Sequence, residues 1–160
     1  MPQKKLTSRF KSWFDDSKVV DTAGDPLVVY HGTDAEFDIF HVSRSQNGGQ
    51  DEIGAFFTTN KEAAEDYGER VIAAYLCIKK PYKVPAKQWY AAEGMSPKEA
   101  REQGYDGYVI EGQDIGGARK DEDTVNPAVG DTYIIFHPEQ IKCAINNRGT
   151  FDPNDPCILR

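Results

Sequence analysis

The chain has 160 residues, 19 basic against 26 acidic side chains and a net charge of −7, with 39% hydrophobic and 28% charged residues. That balance suits a globular domain with its own core and disfavours generic binding to nucleic acid or anionic lipid, which needs clustered Lys and Arg. Three cysteines (Cys77, Cys143, Cys157) without a CxxC spacing and three histidines (His31, His41, His137) exclude a disulfide framework and a four-thiolate zinc site, and no apolar run reaches the ~18–20 residues of a membrane helix.

No metal is expected, no signal-peptide apolar region follows Met1, and the expected compartment is a reducing cytoplasm. Residues 1–160 read as one domain, with an amphipathic helix within 1–20 and an extended tail over 146–160.

Over 7–18, Phe10, Trp13 and Phe14 fall at i, i+3 and i+4 among Arg9 and Lys11. This is the pattern of a short helix packed by its aromatics; a basic docking element is the other use of such a segment. The turn signal Ala23-Gly24-Asp25-Pro26 precedes an apolar strand over 27–30 that ends in His31-Gly32-Thr33. A second strand is expected over 53–59. Asn60 then caps a helix over 61–67, stopped by Gly68.

Residues 71–78 form a nearly continuous apolar run before Pro81, as in a strand buried on both faces. Ser96-Pro97-Lys98-Glu99 is a capping box with proline at the first helical position, and Gly104 ends that helix. Strands follow over 105–110, 132–136 and 141–145. Between the first two lie some twenty Gly- and Asp-rich residues without periodicity, a length that in a compact domain marks a functional or a disordered loop. Strands outnumber short helices, so the class is α+β with a mainly antiparallel core. Cys77 and Cys143 fall in apolar runs and read as core residues; Cys157, in the tail, is a candidate for exposure.

Three groups of residues can carry chemistry. His31 sits beside Gly32, where backbone can approach a ligand without a Cβ in the way; it suits a hydrogen bond to a ribose hydroxyl or an amide, or equally a turn. Phe56 and Phe57 point to opposite faces of their strand. Ala63, Ala64 and Tyr67 share a helix face with room beside the tyrosine ring. Phe56 and Tyr67 can clamp a flat heterocycle, or serve as core aromatics beside small residues.

Tyr30-His31-Gly32-Thr33, Gly54-Ala55-Phe56-Phe57-Thr58 and Tyr67, eleven residues after Phe56, together resemble the NAD-binding core of ADP-ribosyltransferases. The blocks Trp13-Phe14-Asp15-Asp16-Ser17-Lys18, Pro26-Leu27-Val28-Val29, Gly104-Tyr105-Asp106-Gly107, Pro138-Glu139-Gln140-Ile141-Lys142 and Asn147-Arg148-Gly149-Thr150-Phe151-Asp152-Pro153 extend the likeness. They are similar to the ADP-ribosyltransferase domain of phage and mobile-element polyvalent proteins, of the histidine–tyrosine–glutamate type. The resemblance implies a split, mainly antiparallel sheet holding NAD as co-substrate, without a metal. The NAD wall is then Tyr30, His31, Gly32, Thr33, Phe56, Phe57, Ala64 and Tyr67. Phe56 stands where poly(ADP-ribose) polymerases have their first tyrosine, and Tyr67 matches the tyrosine that stacks on nicotinamide.

The third motif departs from the family. Its glutamate, which bonds the ribose 2′-hydroxyl, aligns with Thr132, and Asp131 precedes it. Alternation puts Thr132 and Asp131 on opposite faces, so Asp131 serves only if the strand begins later or a bulge re-aims it. Glu111 and Glu139 are further carboxylates, and the catalytic candidates are His31, Tyr67, Asp131 and Thr132. The segment from Glu111 to Thr132 carries Arg119 and Lys120 against Glu111, Asp114, Asp121, Glu122, Asp123 and Asp131, a charge of 2 − 6 = −4. In the resemblance this is the acceptor-recognition loop, and its charge favours a basic protein acceptor over nucleic acid; a solvated loop without a substrate role has the same composition. The expected activity is mono-ADP-ribosylation by a phage or bacterial effector or toxin. The rivals are a catalytically weakened NAD- or ADP-ribose-binding module and modification of nucleic acid by the same fold.

Overall fold

The computed structural model describes residues 7–40, 55–65, 68–85, 97–111 and 131–160. Among them the chain runs α1 (Ser8–Phe14), β1 (Val29–Thr33), β2 (Ala55–Thr58), α2 (Lys61–Glu65), β3 (Arg70–Leu76), β4 (Pro81–Pro85), α3 (Pro97–Glu102), β5 (Gly107–Glu111), β6 (Thr132–Ile135), a 3-10 turn (Pro138–Gln140) and β7 (Ile141–Cys143). The strands form one seven-stranded sheet in the order β4-β5-β6-β2-β1-β3-β7. Neighbours are antiparallel except β4 and β5, which run parallel on either side of the crossover through α3. The fold is α+β with a mainly antiparallel sheet and short helices, as the sequence pattern predicts.

Alternation along the strands sorts the core into two faces. Val29, Phe57, Ala74, Leu76, Val109, Tyr133, Ile135 and Ile141 pack on one face with Val19, Phe40 and Ile158. Tyr108, Ile110, Ile134 and Phe136 pack on the other, against Ala100 of α3. α1 covers the far end of that second face: Phe10, Trp13 and Phe14 are buried against Tyr75, Cys77 and Phe151. The aromatic helix is thus a packing element. It starts at a Thr7 cap, whose Oγ1 accepts from the Phe10 N–H at 3.2 Å. It ends at Phe14, short of the expected 18, because Asp15 turns the backbone to φ 47°. That turn frees Ser17 to anchor β3: its Oγ donates to the Leu76 carbonyl at 2.8 Å and accepts from the Ile78 N–H at 3.0 Å.

Several boundaries differ from the sequence reading. β1 begins at Val29 and continues through Thr33, because β3 pairs with it as far as Thr33 opposite Arg70; His31 therefore lies inside a strand and not at its end. β3 is fully buried only at Ala74 and Leu76, its first residue being exposed and the next three half-buried. α1 reaches only the Tyr75–Cys77 end, so the other half lacks that cover. β4 is a strand where Pro81 reads as a boundary; at an outside position only one side of the backbone must supply donors, and proline is tolerated there. β5 begins at Gly107, two residues later than the sequence reading, and only glycine fits there, since a Cβ would stand 2.7 Å from the Ile134 carbonyl oxygen. The tail does not simply wrap the surface: the Cys143 N–H donates to the Ile158 carbonyl at 2.9 Å, and Cys157 and Ile158 are both buried. Cys157 is not exposed, because the tail docks along β7.

Candidate active site

β1 pairs with β3 at every residue from Val29 to Thr33, but among the described residues it shares one register pair with β2, Tyr30 opposite Thr58. Beyond that pair the two strands are tied by a side chain. His31 Nδ1 lies 2.7 Å from the Phe56 carbonyl oxygen. A carbonyl can only accept, so the proton sits on Nδ1 and Nε2 keeps its lone pair.

The ring is packed by Phe40 edge-on at 4.9 Å, by Phe57 at 5.4 Å and by Phe37 at 6.4 Å between centroids. Burial among these rings pushes the His31 pKa below its usual 6.5, opposed by the hydrogen bond to Phe56. His31 is therefore a neutral imidazole at pH 7, oriented through one nitrogen and able to accept a hydroxyl proton through the other.

Phe57 joins His31 on the first face, while the half-buried Phe56 ring packs with the second-face cluster of Tyr108, Ile110 and Ile134. The two phenylalanines do point to opposite faces. Phe56 thus reaches His31 with its backbone rather than its ring. Tyr30, Gly32 and Thr33 are half-buried along β1. Asn60 caps α2 as expected, its Oδ1 accepting from the Glu62 N–H at 3.1 Å. Ala63 and Ala64 are buried where α2 packs on β1, β2 and β3. Tyr67 lies outside the described residues. The next residue, Gly68, shows how tightly the exit of α2 meets β1: a Cβ there would stand 2.3 Å from the Thr33 carbonyl carbon.

Beside this neutral, pre-oriented histidine the register of β1 with β2 is a single pair among the described residues, against five with β3. A family model described as ADP-ribosyltransferase in polyvalent proteins matches residues 21–151. The chain belongs to this family. No curated protein matches it. The matched span of this ADP-ribosyltransferase domain takes in all seven strands.

The ADP-ribosyltransferase sheet also locates the third-motif candidates. Thr132 opens β6, 1% exposed, between Thr58 of β2 and Ile110 of β5. Asp131 is half-buried just before it. Its N–H donates to Thr59 Oγ1 at 2.9 Å and its carbonyl accepts from the Thr59 N–H at 3.1 Å. One main-chain bond and one bond to the Thr59 side chain thus hold Asp131 one residue before the β2–β6 ladder, which starts at Thr58 opposite Thr132; the alternation of β6, continued by one residue, assigns Asp131 to the side of Tyr133 and Phe57. This is the face on which the His31 ring lies. Thr132 instead shares its face with Ile134, on the other side.

Glu111 ends β5 opposite Pro85. Glu139 belongs to the 3-10 turn beyond the opposite end of β6, where its carbonyl accepts from Trp13 Nε1 at 3.1 Å; it is not near Thr132. The candidate acceptor loop, 112–130, lies outside the described residues. Sequence reasoning missed Phe37 and Phe40 as walls of His31; their i, i+3 spacing after Thr33 in an otherwise polar stretch was the available signal.

Proposed function

We propose that this chain is an active mono-ADP-ribosyltransferase that takes NAD at the opening between β1 and β2 and transfers ADP-ribose to a basic protein surface. The observation that carries the reading is the His31 bridge. With Nδ1 committed to the Phe56 carbonyl, Nε2 is a fixed acceptor for a ribose hydroxyl, and the Gly32 backbone beside it has no Cβ to keep an amide away. Tyr67 is the proposed stacking partner of the nicotinamide ring. The bond that breaks joins nicotinamide to the ribose anomeric carbon. Positive charge then builds on the sugar, and a nearby anion stabilises it.

Asp131 is the proposed anion, in place of the family's glutamate. It follows the His31 face, whereas Thr132 is buried in register with Thr58. Asp131→Asn is expected to lower NAD turnover by about 10²–10³, the scale of removing one preorganised electrostatic partner, while Thr132→Val changes it little. The reverse pattern in a nicotinamide-release assay would move the role to Thr132. Acceptor class is read by incubating the protein with labelled NAD and cell lysate, then digesting the product separately with protease and nuclease. Label released by nuclease alone overturns the protein acceptor.

A second reading, an NAD- or ADP-ribose-binding module with weakened catalysis, is favoured by the uncharged Thr132 at the glutamate position. NAD binding without turnover in the wild-type chain would establish it. The role of a phage or bacterial effector working in a cytoplasm belongs to the same proposal and is tested by expressing the wild-type chain and Asp131→Asn side by side in cells.

A further inference from the structure

Lys142 is the one lysine buried to 0% exposure among the described residues, and it has no part in the chemistry above. Its Nζ donates to three main-chain oxygens of the tail: Asp155 at 2.7 Å, Cys157 at 3.3 Å and Arg160 at 2.6 Å. An ammonium has three protons, and here each has a main-chain oxygen. Removing such a charge from water is costly unless its donors are met, so this cage is a specific clamp on a segment that lacks regular secondary structure of its own.

The clamped segment leads to the candidate site. Ile39 and Cys157 form an isolated antiparallel bridge, and the Ile158 N–H donates to the Asp38 carbonyl at 2.8 Å. Asp155 stiffens the turn by accepting from the Cys157 N–H at 2.9 Å. Ile158 enters the same core cluster as Phe40. Phe37 and Phe40 flank this bridged segment, meet each other edge-on at 4.7 Å and wall the His31 ring. A continuous set of contacts therefore runs from Lys142 through the tail to residues 38–40 and on to His31.

We propose that residues 155–160 form a strap, latched by Lys142, that sets the aromatic wall against His31, making Lys142 a positioning residue for the NAD site. The inference rests on the reading of His31 as the ribose-facing group. It predicts that the strap and the His31 ring respond together even though Lys142 touches no substrate. The Phe40 side chain holds its place because the strap holds the backbone at 38–39. Released, the wall loosens and water reaches the imidazole.

The test is NMR on the full chain and on Lys142→Met, which keeps the side-chain length and deletes the donors. In the variant the Cys157 and Ile158 amides should lose hydrogen-exchange protection. The His31 ring should titrate upward toward 6.5, and NAD affinity should fall about tenfold, or some 1.4 kcal/mol. Freed tail amides with an unmoved His31 titration would overturn the proposal, as would a tail that stays docked in the variant. Should Lys142→Met not fold, Asp155→Ala keeps the amine and its main-chain acceptors, removes the Oδ1 that holds the Cys157 N–H, and is read by the same criteria. Failure of the wild-type chain to bind NAD would defeat the proposed function alone, because exchange and titration are read without it.

Discussion

β1 treats its two neighbours differently. Toward β3 it is paired along its whole length, Val29 to Thr33; toward β2 it is paired at Tyr30 and then held by the His31 ring on the Phe56 carbonyl. The same five residues thus form ordinary sheet on one side and, on the other, a single register pair and a side-chain tie. The comparison teaches that a strand can be fixed from one side so that its other side is available for binding. Native-state exchange should express this directly, with the amides between β1 and β3 protected more strongly than those facing β2.

The largest break in that contrast is expected from the paired side. Gly68→Val places a Cβ 2.3 Å from the Thr33 carbonyl carbon, where only backbone movement relieves the clash. It should cost about 3 kcal/mol in urea unfolding; a cost near zero would mean that the exit of α2 does not press on β1. The open side should be cheaper to disturb. His31→Leu fills similar space but leaves the Phe56 carbonyl without this donor, so it should cost about 1–2 kcal/mol in the same assay while abolishing NAD binding by calorimetry.

A finer test uses pH. The folded-state pKa of His31 is depressed, so below 6.5 the unfolded chain binds a proton that the folded chain refuses. The contribution of His31 to stability is therefore full above pH 6.5 and is lost as the pH falls from 6.5 toward the folded value. The slope should be at most about 1.4 kcal/mol per pH unit. It should vanish in His31→Leu, and a slope that survives there belongs to another group. The smallest effect is expected at the solvent end of the paired side. The Arg70 Nη1 to Glu36 Oε1 pair, at 2.7 Å, is 51% and 82% exposed, so Glu36→Gln should change stability by less than about 1 kcal/mol and weaken further in salt.

The strand carrying His31 was legible because Leu27 to Tyr30 is apolar and β-branched, and its end was misplaced because Gly32 and Thr33 look like punctuation. Pairing with β3 overrides that local signal. The opposite faces of Phe56 and Phe57 follow from alternation alone and hold in the structure. β4 was illegible for a related reason: two prolines signal a break in any isolated sequence, and only its outside position makes a strand admissible. Burial of Lys142 and Cys157 could not be read locally at all. Both depend on a contact between residues 142 and 155–160 that no periodicity encodes. For the third motif the sequence offered a choice between Asp131 and Thr132. Thr132 is in register with Thr58 inside the sheet, and Asp131 is held by Thr59 one residue before it, where alternation assigns it the other face.

An open sheet of seven strands has two borders at which a foreign strand can add, and self-association begins at such borders. On one border β4 starts and ends with proline, so two of its five residues have no N–H to offer. On the other, the tail occupies the outer side of β7, the Cys143 N–H already engaged by the Ile158 carbonyl. Clipping the chain near Pro153 would remove that guard and leave Ile141 to Cys143 as a bare template. Tail-less molecules should then stack into dimers and larger aggregates through β7, and the residues Asn154 to Arg160 act as the chain's own protection against polymerising.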